Sequence, residues 1–290
     1  MRMYPHRALT EEAGMSEPRS WLFVPADSEK KIAKAIESDA DAVIFDLEDS
    51  VSPAQKRAAR DILKGLPKHS NGPQWWVRVN PLGSEFHKDD LKLLSSAYFH
   101  GIVLPKSEGG ADVTQLAHRT GNIPIHAIVT ETPGSLFGLL SYSAPNSPLA
   151  AMSWGAEDLS AAIGASSKYD TNGELSFTYR LARSLCLAGA VAAGVQPVDG
   201  VFADFNDWEG LKNEAEAARR EGFTGKLAIH PNQVEIINTA FTPSIEEVRH
   251  AEEIVAAFEA HPNAGVLSVG GKMVDRPHLV QARRILERAR

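Results

Sequence analysis

The sequence predicts a (β/α)8 TIM barrel with a C-terminal lid appendage, and three observations predict it. Eight short apolar runs recur along the 290 residues, as strands buried on both faces require. Helix-like segments separate them, which implies a parallel sheet with crossover connections. Acidic, basic or amide residues stand at or just after the ends of several runs, where a barrel of this kind gathers its chemistry.

Residues 21–25 form the first expected strand, after which Asp27 and Ser28 can cap a helix to Ser38 with Ile32, Ala35 and Ile36 on one face. The second strand is 42–47. Ser52 and Pro53 then supply an N-cap and a first-turn proline for a helix reaching about residue 63. Strands three to six are 75–79, 102–104, 125–129 and 149–154, with intervening helices over 85–97, 110–119 and from Thr132 to Leu140. A short helix over 156–163 and a long one over 174–193 lead to strand seven, 198–205. A helix over 206–220, strand eight at 227–229 and a helix over 231–241 complete eight units.

The residues beyond Phe241 are surplus to a barrel. Ser244 with Glu247 three residues on gives a capping-box pattern for a helix over 245–260. A hairpin-like piece over 265–275 and a final helix over 277–290 finish the chain. The expected division is a flexible tail over 1–18, the barrel over 19–243 and a lid segment over 244–290 that folds over a barrel mouth, its own or a neighbour's.

A net charge of −7 argues against a nucleic-acid partner needing a broad basic surface. No segment reaches the roughly 18 consecutive apolar residues of a membrane helix, so a soluble protein with no membrane partner is expected. The single cysteine, Cys186, lies in an apolar run and reads as a buried core thiol, in keeping with a reducing cytoplasm. Zinc-type His or Cys spacing, a GxSxG elbow, a P-loop and a GxGxxG fingerprint are all missing from the sequence.

Glu131 follows strand five and Asp158 strand six, so a barrel makes them neighbours. Two carboxylates brought together repel unless a proton or a cation lies between them. A hard divalent ion with water and substrate completing its oxygen shell, best Mg2+, resolves the conflict. Each acid alone could cap the helix that follows it; their pairing at adjacent strand ends favours the metal. Arg78 interrupts the apolar strand three, where a guanidinium suits bidentate capture of a carboxylate. An ion pair with Glu48 or Asp49 of the second unit is the alternative, and both can hold together. Lys106 at the end of strand four reads as a salt-bridge partner of a neighbouring acid, with a Schiff-base role as the alternative, and His230 after strand eight as a base or a hydrogen-bonded structural residue.

The segments Arg19–Pro25 and Ala42–Val51, followed by Lys56, Ala59 and Arg60, resemble opening motifs of the citrate lyase β-subunit-like proteins. The resemblance continues through Val77–Pro81, Leu104-Pro105-Lys106, Glu131-Thr132, Gly155–Leu159 and Ile229–Gln233, and covers about 19–290. It is a resemblance to the wider HpcH/HpaI aldolase and citrate lyase family, nearest to the malyl-CoA and citramalyl-CoA lyase branch. That resemblance implies a TIM barrel binding Mg2+ through Glu131 and Asp158, with Arg78 anchoring the carboxylate of an α-oxo acid. Glu48, Asp49, Gly155, Ala156 and Glu157 would line the substrate site, and Arg19 and Lys30 are candidates for the CoA phosphates. Gly271–Asp275 matches the branch's lid motif, which implies Asp275 as a catalytic acid–base serving an adjacent subunit; an exposed N-cap is the alternative for that residue. The implied partners are an acyl-CoA substrate and further copies of the chain in a trimer or hexamer. The implied activity is cleavage of a malyl-CoA or citramalyl-CoA type thioester to acetyl-CoA and an α-oxo acid. A citryl-thioester lyase subunit, a CoA-independent hydroxy-oxo-acid aldolase and a malate synthase-like thioester-hydrolysing enzyme are the alternatives.

Overall fold

The computed structural model describes residues 17–67, 72–144 and 147–289. All but the last two residues of the expected flexible tail, 1–18, lie outside them. The chain forms two compact units, Met1–Asn238 and Thr239–Arg290.

The first unit is a closed barrel of eight parallel strands in sequence order, β1 Ser20–Pro25, β2 Ala42–Asp46, β3 Gln74–Arg78, β4 Gly101–Leu104, β5 Ile125–Val129, β6 Leu149–Trp154, β7 Gln196–Asp199 and β8 Gly225–Ala228. The barrel closes by pairing β8 with β1. Helices α1 Glu29–Ile36, α2 Lys56–Lys64, α3 His87–Leu94, α4 Gly110–Thr120, α5 Ser135–Gly138, α6 Ala156–Ile163, α7 Phe177–Ala193, α8 Trp208–Glu221 and α9 Val234–Phe241 follow the strands. The interior is a packed core of Trp21, Ile44, Trp76, Val103, Ile128, Ala150 and Val198 among others, not a channel. His126 sits within it, edge-on to Trp21 with ring centroids 4.7 Å apart and 2.9 Å from Ser153 Oγ. Burial pushes its imidazole down to about 3, so it stays neutral.

Strand seven departs from expectation. It begins at Gln196 and ends at Asp199, so most of the apolar stretch 198–205 is loop. The strand ends in a charge network built around the fully buried Asp199 and Lys226. Asp199 accepts from Trp154 Nε1, Arg183 Nε and Lys226 Nζ, each at 2.8 Å. Lys226, also fully buried, spends its other donors on Gly200 O at 2.8 Å and Glu214 Oε1 at 2.6 Å. These bonds tie β6, β7 and β8 to α7 and α8. Strand eight ends at Ala228, where the Ile229 N–H turns to Gln233 Oε1. Helix α7 starts at Phe177 and not at Glu174, because Asp170 takes the N–H groups of Asn172 and Glu174 in a turn. Cys186 lies on the inner face of α7, fully buried, and burial pushes its thiol up.

The second unit holds α10 Ile245–Ala260, the antiparallel hairpin β9 Val266–Val269 and β10 Lys272–Asp275, and α11 Arg276–Arg288. The Ser244–Glu247 capping box forms as expected. Gly270 and Gly271 make the hairpin turn with φ of 55° and 76°, values that suit two-residue loops and favour glycine. Ala251, Ile254, Phe258, Val269, Val274 and Leu279 form this unit's own core. The units divide at Asn238 and Thr239, inside α9, a few residues before the expected boundary at 243. Among the described residues no helix is long and apolar enough to cross a membrane.

Candidate active site

The register of the sheet sets the first contact. Asp46 and Arg78, the last residues of β2 and β3, lie directly opposite one another. Arg78 donates to both oxygens of Asp46, from Nε at 2.7 Å and from Nη2 at 2.6 Å, and its Nη1 lies 2.8 Å from Glu48 Oε2. Burial would raise Asp46, but the charge and hydrogen bonds of Arg78 outweigh it and hold the carboxylate below its ordinary value. Glu48 is pushed up by burial, which Arg78 and Lys106 only partly offset. Asp46 also takes the N–H groups of Glu48 and Ser50, so it fixes the loop that presents Glu48 and Asp49. Lys56 and Asn80 brace the same loop by donating to main-chain oxygens of Leu47 and Glu48.

Lys106 joins the two sides of the mouth. Its ammonium lies 2.5 Å from Glu48 Oε1, 3.3 Å from Asp49 Oδ2 and 3.2 Å from Asp158 Oδ1. Its main-chain N–H donates to Glu131 Oε2 at 2.5 Å. Lys106 and Thr130 have φ of 51° and 61°. Left-handed backbone is strained for any side chain and most unusual for a β-branched one. The strain falls where β4 and β5 deliver their polar residues to the mouth.

Glu131 is buried, and burial together with the charges of Glu48 and Asp158 pushes it up to about 8, against the pull of the Lys106 N–H and ammonium. A carboxylate in that state needs a proton or a cation beside it. Gly155 makes room for it: a Cβ there would sit 2.6 Å from Glu131 Cγ and 3.0 Å from Oε1. Asp158 follows on the first turn of α6. Gly155→Ala is therefore expected to push the Glu131 carboxylate out of place and weaken divalent-cation binding about 10- to 100-fold, as measured by Mn2+ titration of the folded variant.

Of the residues expected at the site, Arg78, Glu48, Asp49, Glu131, Gly155 and Asp158 come together. Asp49 pairs with Lys106 and not with Arg78. Glu157 turns its carboxylate to Lys168, and it and Ala156 form the first turn of α6. Lys30 is exposed on the first turn of α1, after the C-terminal end of β1. Arg19 is a correction. It precedes β1, at the opposite end of the strands from the mouth, and is bound to Asp41 from Nε at 2.8 Å and Nη2 at 2.9 Å. It clamps the barrel's base, with its guanidinium committed to Asp41 and not to a CoA phosphate at the mouth. His230 caps the turn after β8, accepting from the Asn232 N–H, and stacks on Phe205. In the second unit Asp275 is the N-cap of α11, with Oδ1 2.5 Å from His278 Nδ1. That hydrogen bond holds its carboxylate below the ordinary value.

Asp46 escaped the sequence reading because it is embedded in an apolar run. Strand alternation was the available signal, since Asp46 and Arg78 end adjacent strands in register. The completed cluster sets Asp46, Glu48, Asp49, Glu131 and Asp158 against the cations Arg78 and Lys106, an excess of negative charge. Among the described residues no group of three or more His, Cys, Asp or Glu is arranged to hold a metal ion. Glu131 and Asp158 offer two hard oxygen donors, and the excess charge and the raised Glu131 suit a dication that takes its other ligands from water and substrate.

A family model described as HpcH/HpaI aldolase/citrate lyase matches residues 19–231, and one described as a C-C bond lyase of the TIM-barrel fold matches 176–290. The chain is 37% identical over 269 residues to the citrate lyase subunit beta-like protein of Mycobacterium tuberculosis, covering 93% of this chain and 94% of that protein. It is 36% identical over 275 residues to the (3S)-malyl-CoA thioesterase of Cereibacter sphaeroides, with the same coverage of 93% and 94%. The crystal structure of the protein CitE from M. tuberculosis in complex with magnesium, acetoacetate and coenzyme A superposes with a TM-score of 0.82 at 36% identity, over 95% of this chain and 99% of that one.

Proposed function

The chain belongs to the HpcH/HpaI aldolase/citrate lyase family, and on that premise we propose that it is a Mg2+-dependent lyase cleaving a β-hydroxyacyl-CoA thioester, of malyl-CoA or citramalyl-CoA type, to acetyl-CoA and an α-oxo acid. One observation carries the reading: Glu131 and Asp158 meet Arg78, Glu48 and Lys106 at the C-terminal ends of β2 to β6. Magnesium and coenzyme A beside a related CitE chain support the choice of cation and thioester.

Glu131 and Asp158 would hold the cation, which when bound supplies Lewis-acid stabilisation of developing oxyanion charge. Arg78 binds the carboxylate of the oxo-acid half. Asp46 fixes its guanidinium plane, and burial of the pair keeps it from reorienting. The substrate hydroxyl loses its proton, the carbon–carbon bond breaks, and a thioester enolate and an α-oxo acid result. Asp275, offered by the lid of a neighbouring subunit in a homo-oligomer, returns a proton to the enolate carbon. In condensation it removes that proton as the carboxylate, and in cleavage it returns it as the acid. Lys30 is the remaining candidate for a CoA phosphate.

The test is Mg2+-dependent cleavage of malyl-, citramalyl- and citryl-CoA with identification of the oxo-acid product; no cleavage of any of them would end this reading. Asp275→Asn is expected to keep Mg2+ and oxo-acid binding while exchange of acetyl-CoA methyl protons falls at least about a hundredfold; retained exchange would move the base elsewhere. The likeness to a (3S)-malyl-CoA thioesterase favours one second reading, hydrolysis of the thioester after C–C bond formation. Release of free CoA from glyoxylate and acetyl-CoA distinguishes it.

A further inference from the structure

Lys106 touches both proposed metal donors, each with a different part of itself. The main-chain N–H holds Glu131 Oε2 at 2.5 Å, and the ammonium lies 3.2 Å from Asp158 Oδ1. Its closest contact is Glu48 Oε1 at 2.5 Å, with Asp49 Oδ2 at 3.3 Å. Its backbone is left-handed, with φ 51°, and both groups meet the acids of the mouth. A lysine serving only as a surface ion pair has no need of such a conformation, since exposed pairs contribute little and form from ordinary backbone.

The ammonium therefore stands among the carboxylates where a dication would also be drawn. The two compete for the same Asp158 oxygen, and like charges a few ångström apart repel. The main-chain bond to Glu131 does not depend on the lysine side chain and persists with or without it. Glu48 offers the ammonium somewhere to stay when Asp158 is taken, because that pair is the shorter.

We propose that Lys106 is a tethered counter-ion that holds the acidic mouth together in the metal-free protein, competes with the divalent cation for Asp158, and so sets the cation's affinity. This rests on the metal-lyase reading of the site. Its consequence is a cation that binds weakly alone and tightly once an anionic oxo acid adds its own oxygens, so that metal and substrate load together.

Mn2+ titration of the purified full chain by calorimetry, without substrate, tests the idea on wild type, Lys106→Met, Lys106→Arg and Asp158→Asn. Lys106→Met is expected to bind Mn2+ about tenfold more tightly than wild type. Its metal-free form should also melt at a lower temperature, making the Mn2+-induced rise larger. Lys106→Arg, which keeps the charge, should bind like wild type. Unchanged or weaker Mn2+ binding by Lys106→Met overturns the proposal, and Lys106→Gln is the substitute measured by the same criterion should the Met variant not fold. Failure of both wild type and Lys106→Met to bind Mn2+ even when an α-oxo acid such as pyruvate is added, or equal binding by Asp158→Asn, would instead sink the underlying metal assignment.

Discussion

Asp158→Asn is expected to reduce Mg2+-dependent turnover by a factor of about a hundred to a thousand or more while leaving the barrel folded. The amide keeps the size of the side chain but loses the charge that binds a cation and balances Lys106 at 3.2 Å. Removing one charge-stabilising group from a preorganised site has effects of roughly this size. The fold should tolerate it because Asp158 is partly exposed on the first turn of α6 and Lys106 keeps Glu48 and Asp49. Turnover as a function of Mg2+ concentration, with thermal unfolding of the same preparation, checks both halves. Unchanged activity would remove Asp158 from the metal site.

Asp199→Ala is expected to cost about 3–5 kcal/mol of stability, the penalty for stranding a buried charge. Three donors converge on this carboxylate, two of them cationic. Lys226 would keep Glu214 and Gly200 O, and Arg183 would keep Glu221, but neither alternative replaces a fully buried anion. Burial would raise Asp199, yet Lys226 and Arg183 hold it well below the usual carboxylate range. A carboxylate depressed in the folded state contributes stability present above its unfolded pKa of about 4 and lost only as pH falls below it. The penalty should thus be constant from about pH 5 to 8 and shrink in acid. Urea unfolding at several pH values checks it. A double variant, Asp199→Leu with Lys226→Met, should recover part of the loss by removing the stranded charge, whereas a fully additive loss would show that the network is not what holds these strands.

The barrel was legible because strands buried on both faces cannot hide their apolar runs, and because the polar residues at the ends of β3, β4, β5 and the start of α6 stand out against them. Arg78, Glu131 and Asp158 announce themselves in this way. Strand seven was misread because hydrophobicity does not stop where pairing stops: Val201 and Phe202 prolong the run past Asp199, and Gln196 disguises its beginning. Asp46 was missed for the opposite reason, as a single acid inside an apolar segment whose partner lies on another strand. The Lys226–Asp199 pair joins strands through a register that only the closed sheet supplies. Arg19 shows the hazard of motif reading without position. It precedes the first apolar run, and order along the chain alone puts it at the N-terminal end of β1, away from the mouth.

Cys186 gives the chain an internal chronometer. A lone thiol sealed under α7, with its ionisation suppressed, is invisible to thiol-alkylating reagents until the helix lifts or the whole barrel opens. The pace of modification under native conditions therefore reads how often that layer parts, with no label added and no second site to confuse the count.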